Sequence, residues 1–128
     1  MFTSLERIDA LMRQSSRLAR VANYVQSRYS DPIHLDDVAA IAALERMYFC
    51  RLIHRKIGVS FGTWLRMVRV ARAIELLRTT TMSVAEIALA VGFGDSGGLQ
   101  RSCKRLTLQS PREIREDNFS RDIGVALK

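Results

Sequence analysis

Apolar residues recur every three or four positions along most of the chain, a spacing typical of amphipathic helices rather than of strands. Alternation with a period of two never extends far, and only two prolines and seven glycines interrupt the pattern. The longest continuous stripe predicts one long helix over residues 61–79. The pattern as a whole predicts an all-α fold.

The chain also contains an internal repeat of a short helix, a tight turn and a basic helix. One copy reads LDDVAAIAALERMYFCRLIHRK (Leu35–Lys56), and the other reads VAEIALAVGFGDSGGLQRSCKR (Val84–Arg105). The small residues Ala39 and Ala88 would let the second helix of each copy cross closely over the first. This order is typical of a helix-turn-helix, whose second helix can enter a major groove. A helical solenoid fits poorly, since it needs about three repeats.

Breaks in the apolar pattern divide the chain into five segments around two helix-turn-helix subdomains and a long central helix. The predicted segments are an N-terminal extension or linker (1–16), a first helix-turn-helix subdomain (17–60), a connecting helix (61–79), a second helix-turn-helix subdomain (80–119) and a C-terminal tail (120–128). The pattern leaves open whether the first segment is the remnant of a linker or a genuine extra helix.

The charge balance favours an anionic partner. Lys and Arg number 20 against 13 for Asp and Glu, a formal net charge of +7, and lysine occurs only at positions 56, 104 and 128. The other basic residues are arginines, whose planar fork donates two parallel hydrogen bonds to phosphate or to guanine. Basic proteins that bind no nucleic acid also exist, so charge alone leaves both interpretations open.

Other classes of protein find little support in the sequence. His34 and His54 accompany no nucleophile–base pair and no phosphate-binding glycine loop, so neither an enzyme nor a cofactor is expected. Cys50 and His54 could form half of a metal site, but no second pair completes four ligands, so no metal is expected. With no secretory signal and no apolar run of about 20 residues, Cys50 and Cys103 are expected to be reduced thiols in a cytoplasmic protein, away from membranes.

Three stretches of sequence carry a recognisable combination of motifs: GVSFGTWLRMVRVARAIELL (Gly58–Leu77), IALAVGFGDSGGLQRSCKR (Ile87–Arg105) and SPREIR (Ser110–Arg115). Together they resemble the AraC/XylS transcription regulators, and the resemblance covers about residues 18–115. It implies a bipartite all-α module of about seven helices. It also implies a sequence-specific DNA-binding regulator whose two recognition helices enter successive major grooves of double-stranded DNA, about 34 Å apart. An activator is the commoner role in that family, and RNA polymerase is the expected protein partner. A small-molecule effector is expected only if a separate sensor domain is missing from this chain.

The resemblance also implies which side chains meet DNA. Base contacts would come from both recognition helices, through Met47, Cys50, Arg51, Ser96, Gly97, Gln100 and Arg101. Contacts with the DNA backbone would come from Arg46, His54, Arg55, Lys104 and Arg105. Arg51 and Arg101 carry the most weight, since arginine can hold guanine O6 and N7 together for about 1–3 kcal/mol of discrimination.

Several residues depart from the family's pattern. Gly97 and Gly98 fall within the second recognition helix, where each glycine costs about 1 kcal/mol relative to alanine. Cys103 replaces a usual core phenylalanine, Leu108 a usual glycine, and Glu45 a usual serine N-cap. We therefore expect the first unit to read sequence and the second to bind weakly or through the DNA backbone alone. The glycine pair also supports a second hypothesis, a protein-interaction module with a degenerate helix-turn-helix fold that antagonises a related regulator or RNA polymerase.

The long central helix carries basic residues that we assign to the scaffold instead of to DNA. These are expected to pack or to pair along the helix, for example with Glu75, and they are Arg66, Arg69, Arg72 and Arg78. Trp64 and Phe93 are predicted to be core residues.

Overall fold

The computed structural model describes residues 2–117, with side chains described from Ser4 onward, and within this range the chain forms eight helices and no strand. In chain order the helices are α1 (Phe2–Met12), α2 (Ser16–Arg28), α3 (Leu35–Ile41), α4 (Arg46–Ile57), α5 (Phe61–Thr79), α6 (Val84–Val91), α7 (Ser96–Thr107) and α8 (residues 111–117). The predicted all-α fold is confirmed. The predicted C-terminal tail, residues 120–128, lies outside the described residues. Among the described helices, none has both the length and the apolar character that crossing a bilayer requires.

The N-terminal residues form a packed helix, which explains why eight helices are observed where about seven are predicted. α1 contacts α2 and α4, and it buries Ile8 and Met12. Arg13 follows α1 and donates to Asp9 Oδ2 at 2.8 Å and to Asn23 Oδ1 at 2.9 Å, which ties the turn to α2. This segment is therefore helical over Phe2–Met12.

The internal contacts of the chain divide it into two units between Val68 and Arg69, within α5. The first unit has an aromatic core. Phe49 of α4 lies against Phe61 of α5, with ring centroids 5.9 Å apart, and Phe61 meets the edge of Trp64 at 5.8 Å. Phe49 is fully buried and Trp64 is 1% exposed, so the prediction that Trp64 is a core residue is confirmed.

The second unit begins within α5, and in it α6 packs against α7. Phe93, predicted as a core residue, is 8% exposed, and Cys103 is fully buried. Burial raises the pKa of the Cys103 thiol, so the neutral thiol is the form that fills the place of the usual phenylalanine. Arg115 fastens α8 to the end of α5, because its Nε donates to the Leu77 carbonyl at 3.1 Å and its Nη2 to the Thr80 carbonyl at 3.2 Å.

Three of the four arginines predicted to serve the scaffold pair or pack within α5. Arg72 pairs with Glu75 at 3.4 Å, one turn further along the helix. Arg66 Nη2 donates to Thr63 Oγ1 at 3.2 Å. Arg69 is half-buried, and this burial lowers the pKa of its guanidinium.

The two basic helices end in the same left-handed conformation but with different residues. α4 ends at Gly58, with φ of 82°, and α7 ends at Leu108, with φ of 65°. In each case the backbone N–H donates to a carbonyl four residues back, at 2.9 Å. Leu108 is 79% exposed, so its side chain gains little packing in return for a backbone conformation that costs a non-glycine residue about 1–2 kcal/mol.

Leu108→Gly is therefore expected to raise the free energy of unfolding of the second unit by about 0.5–1 kcal/mol, because relief of backbone strain exceeds the entropy that glycine adds to the unfolded chain. The reciprocal change, Gly58→Ala, should destabilise the first unit by a similar amount; nothing lies within 4 Å of the added methyl, so the loss would come from the backbone alone. Urea unfolding midpoints measure both effects. Equal midpoints for wild type and Leu108→Gly would contradict the strain at this helix end.

Candidate nucleic-acid interface

The first helix-turn-helix joins α3 to α4 through a tight turn of alanine residues. Ala39 and Ala42 are buried, and Ala43 adopts a left-handed conformation with φ of 56°. Beyond it, the Leu44 N–H returns to donate to the Ala39 carbonyl at 2.9 Å. Small side chains allow this close return, so α4 packs against α3 and still has an exposed side of its own.

Glu45 caps the N-terminus of α4. Its carboxylate accepts from the Met47 N–H at 2.8 Å and from the Tyr48 N–H at 3.0 Å. These two backbone donors lower the pKa of Glu45, and the positive charges of Arg51 and Arg46 lower it further. The sequence suggests a departure from a serine cap, but the structure shows a working cap in which one carboxylate satisfies two of the free N–H groups of the helix.

This cap predicts a pH dependence. Because the folded-state pKa of Glu45 lies below its ordinary value, its stabilising effect is complete above the ordinary glutamate pKa of about 4.3 and is lost as the pH falls through the folded value. Glu45→Gln should therefore unfold at lower urea than wild type at pH 7, and the gap between the two midpoints should close as the pH falls from 5 to 3. A gap that stays constant over this range would show that the charge of the cap is unimportant.

The helix α4 separates a buried side from an exposed one. Phe49 and Ile53 are fully buried, whereas Met47 is 56% exposed. The predicted DNA-facing side chains on this helix are exposed except for Cys50, which is half-buried; the exposed set is Arg46, Met47, Arg51, His54 and Arg55. The structure thus brings the six residues of the first predicted set together on one helix.

Tyr48 belongs to the same exposed side but is missing from the predicted set. It is 46% exposed, and it lies three residues before Arg51, so the two side chains are neighbours on the helix surface. The sequence could have indicated Tyr48 by its position, because it is an aromatic residue one helical turn before Arg51 and next to the buried Phe49.

An open concavity of about 530 Å³ follows the basic side of α4 and is lined by Cys50, Arg51, His54, Arg55 and Ser60. Its described lining holds two arginines and no carboxylate. Arg46 lies closer to the turn, where it approaches Asp36 of α3 at 3.9 Å with both side chains largely exposed. In the part of the chain that the structure describes, no three His, Cys, Asp or Glu side chains are grouped as metal ligands would be.

The second helix-turn-helix repeats the local geometry of the first. Gly92 has φ of 101°, and the Phe93 N–H donates to the Ala88 carbonyl at 2.9 Å, the same five-residue return that joins Leu44 to Ala39. Asp95 then caps α7, accepting from the Gly98 N–H at 2.8 Å. The repeat in the sequence is therefore a repeat of hydrogen bonds as well.

The helix α7 also has one buried and one exposed side. Leu99 and Cys103 are fully buried. Of the predicted DNA-facing residues, four are exposed and two half-buried; the exposed ones are Gln100, Arg101, Lys104 and Arg105, and the half-buried ones are Ser96 and Gly97. Lys104 Nζ approaches Glu113 Oε1 of α8 at 3.7 Å.

The glycine pair lies in the first turn of α7 and leaves the helix whole. α7 is continuous over 12 residues. A Cβ atom on Gly97 would come within 3.0 Å of Arg101 Nη1, so the guanidinium of Arg101 lies over the space that Gly97 leaves. The pair thus gives no structural support to a degenerate helix-turn-helix, and at Gly97 it makes room for an exposed arginine.

Comparisons with known proteins agree with this geometry. Residues 38–117 match a family model described as a helix-turn-helix domain. The chain is 28% identical over 101 residues to the regulatory protein PocR of Salmonella typhimurium, covering 79% of this chain and 33% of that protein. It is 28% identical over 109 residues to the transcriptional activator RhaS of an Enterobacter species, covering 85% of this chain and 39% of the relative.

Among solved structures, the chain resembles the DNA-binding domain of the global transcriptional factor AdpA, solved in complex with a target DNA. The TM-score is 0.78 and the identity 29%, over 84% of this chain and 96% of that domain. By contrast, this chain spans only 33% and 39% of the lengths of PocR and RhaS. The similarity therefore concerns one domain of those longer regulators.

Proposed function

The chain belongs to the AraC/XylS family of helix-turn-helix transcription regulators, and from this premise we propose that it binds double-stranded DNA sequence-specifically and regulates transcription. The observation that carries the proposal is the pair of capped basic helices, α4 and α7, each with a buried apolar side and an exposed arginine. Such a helix fits the width of a major groove.

The proposed base-reading residues differ in what they can offer to DNA. Arg51 and Arg101 would each hold the O6 and N7 atoms of a guanine, and Gln100 would pair with adenine. Met47 and Cys50 would offer apolar contact, for example to a thymine methyl, and Tyr48 joins them by its exposure. Ser96 and Gly97 would lie against the DNA backbone or base edges at the start of α7.

Phosphate contacts complete the proposed interface. They would come from exposed basic side chains of the two helices, namely Arg46, His54, Arg55, Lys104 and Arg105. Arg46 and Lys104 would leave their exposed partners Asp36 and Glu113 to do so, at little cost, because exposed ion pairs contribute about 0–1 kcal/mol.

At the level of the whole chain, we assign residues 17–60 and 80–119 to the two DNA-binding subdomains and residues 61–79 to their connection. We further propose that the regulator activates transcription and contacts RNA polymerase, because its relative RhaS is a transcriptional activator. The helix α1 lies outside residues 38–117, which match the family model.

Selection of binding sites from a random duplex pool tests this function. We expect enrichment of two short blocks about one helical turn apart, 10–10.5 base pairs, if both helices read bases in successive grooves. One enriched block would restrict base reading to a single unit. No enrichment would contradict sequence-specific binding.

The selected duplex then allows a salt titration by mobility shift. A protein that neutralises Z phosphates loses affinity with a slope of about −0.9Z in the logarithm of salt concentration. With five proposed phosphate contacts the slope should be about −4 to −5. Affinity that is independent of salt would instead favour a protein partner.

A further inference from the structure

The first turn of α7 has a bare stretch of helix backbone beside an exposed arginine. Gly97 lies in this turn and Arg101 follows it by four residues, so the two positions share one face of the helix. A Cβ atom on Gly97 would lie 3.0 Å from Arg101 Nη1 and 3.9 Å from Arg101 Cζ. The arginine side chain therefore lies back over the turn that precedes it, as helical side chains tend to do.

The neighbouring glycine does not leave the same space. A Cβ atom on Gly98 would meet Phe93 Cδ1 at 3.4 Å and Asp95 Oδ1 at 3.5 Å, which are ordinary van der Waals distances. None of its three nearest neighbours belongs to Arg101. Both glycines lower the intrinsic stability of the helix, but only Gly97 makes room for the guanidinium.

The guanidinium of Arg101 is accessible in this conformation. Arg101 is exposed, and among the ion pairs of residues 4–117 none includes it. The carboxylate of Asp95 lies near the same space, 3.3 Å from the position of the Gly97 Cβ, but it accepts from the Gly98 N–H at 2.8 Å. The planar fork of Arg101 is thus open to a partner with two acceptor atoms.

The first recognition helix carries a side chain at the corresponding position. Met47 precedes Arg51 of α4 by four residues, as Gly97 precedes Arg101 of α7. Met47 is 56% exposed, so Arg51 shares its face of the helix with a large apolar side chain. The repeat therefore contains two similar arginines, of which only the second has a bare turn to lie on.

We propose that Gly97 is a positioning residue for base recognition: it lets Arg101 lie over the first turn of α7, where the guanidinium binds O6 and N7 of one guanine. A side chain at position 97 would force Nη1 to move by at least a few tenths of an ångström. Two parallel hydrogen bonds to one base weaken when the donors lose their alignment. This inference rests on the proposed function, because it concerns how an arginine assigned to base reading is directed.

The first experiment measures base preference in two alanine variants. Arg101→Ala identifies the guanine, as the base pair of the second block whose preference it abolishes. Fluorescence anisotropy then compares the selected duplex with one in which adenine replaces that guanine. Wild type should prefer the guanine duplex about 5- to 150-fold. Gly97→Ala should reduce this preference about 3- to 10-fold, as weakening of one hydrogen bond does, and the matched control Gly98→Ala should leave it unchanged.

The stability of the same variants separates positioning from a structural role. Alanine has a higher helix propensity than glycine, so neither Gly97→Ala nor Gly98→Ala should lower the urea midpoint of the helical signal in circular dichroism. Gly97→Ala is thus expected to be at least as stable as wild type and yet less selective. A lower midpoint in Gly97→Ala than in Gly98→Ala would attribute its loss of preference to a damaged helix, and the proposal would be wrong.

A double variant tests whether position 97 acts through the arginine. In the Arg101→Ala protein, the further change Gly97→Ala should leave the affinity for the selected duplex unchanged, because no guanidinium remains to be displaced. If it still weakened binding, the added methyl would act on the DNA directly and Gly97 would not be a positioning residue.

Two further results would overturn the inference: full guanine preference in Gly97→Ala, or the same loss in Gly97→Ala and Gly98→Ala. The failure of the proposed function would look different. If wild type preferred no duplex at all, the proposed function and this inference would fall together. If wild type preferred a duplex whose second block was unaffected by Gly97→Ala and Arg101→Ala, sequence-specific binding would stand and only this inference would fall.

Discussion

Arg51→Ala is expected to weaken binding to the selected duplex about 5- to 150-fold, because a guanine held through two hydrogen bonds contributes about 1–3 kcal/mol of discrimination. Binding to unrelated duplexes should change little, since Arg51 would make no base-specific contact there. Arg51 is exposed on α4, and the buried residues Phe49 and Ile53 on the opposite side keep the helix in place after the substitution. Fluorescence anisotropy with the selected duplex and a scrambled one measures the two affinities.

Arg55→Ala provides the matched comparison, since it removes the same charge from the same helix. A phosphate contact carries no sequence information, so this variant should lose affinity for both duplexes alike and reduce the salt slope by about one. Should Arg51→Ala instead weaken both duplexes equally, Arg51 would be a phosphate contact and the assignment of base reading to α4 would be wrong. Arg101→Ala applies the same test to α7. There the variant should lose its preference for the bases of the second block of the selected sequence.

The repeat explains why so much of the fold could be predicted. The connecting helix was expected over residues 61–79, and α5 has those bounds. A stripe of apolar residues that long leaves few alternatives, and Gly58 before it and Thr80 and Thr81 after it mark its ends. Each copy of the repeat also carries its turn signal in residue types that tolerate positive φ or close approach, such as Gly92.

What the sequence did not reveal depends on side-chain conformation. Glu45 looked like the loss of a serine cap, yet its longer carboxylate reaches two backbone N–H groups. Gly97 looked like a weakness of α7, yet it leaves the space in which the Arg101 guanidinium lies. In both cases the residue type was visible, but the contact that it makes depends on rotamers, which spacing and periodicity do not define.

Contacts between distant segments were the other gap. The sequence left open whether the first segment is a helix, and the packing of α1 against α4 follows only from the fold. Similarly, Arg115 matched a motif, whereas its bonds to the carbonyls at the end of α5 join residues 35 and 38 positions apart. The candidate DNA-facing residues were easier to place, because four-residue spacing on one helix already puts them on a common face.

The stability of the DNA-reading helix should depend on its buried side. Phe49→Ala is expected to lower the free energy of unfolding of the first unit by about 3–5 kcal/mol, the usual cost of removing a buried aromatic ring. Phe49 is fully buried, and it packs against Phe61, which in turn packs against Trp64. Small domains have a total stability of about 5–15 kcal/mol, so this loss would leave the unit near its unfolding threshold at 37 °C.

Tyr48→Ala is the matched control, because Tyr48 is the adjacent aromatic residue on the same helix but is 46% exposed. It should cost less than about 1 kcal/mol in unfolding free energy, as surface substitutions usually do.

Trp64 is the single tryptophan of the chain and lies in the first unit, so its fluorescence in a urea titration reports the unfolding of that unit. Leu99 is fully buried in the second unit. Leu99→Ala should therefore shift the loss of helical signal in circular dichroism to lower urea. It should shift the tryptophan transition less than Phe49→Ala does. If Leu99→Ala and Phe49→Ala shifted both signals by the same amount, the two units would unfold as one, and the stability of α4 would depend on the whole chain instead of on its own aromatic core.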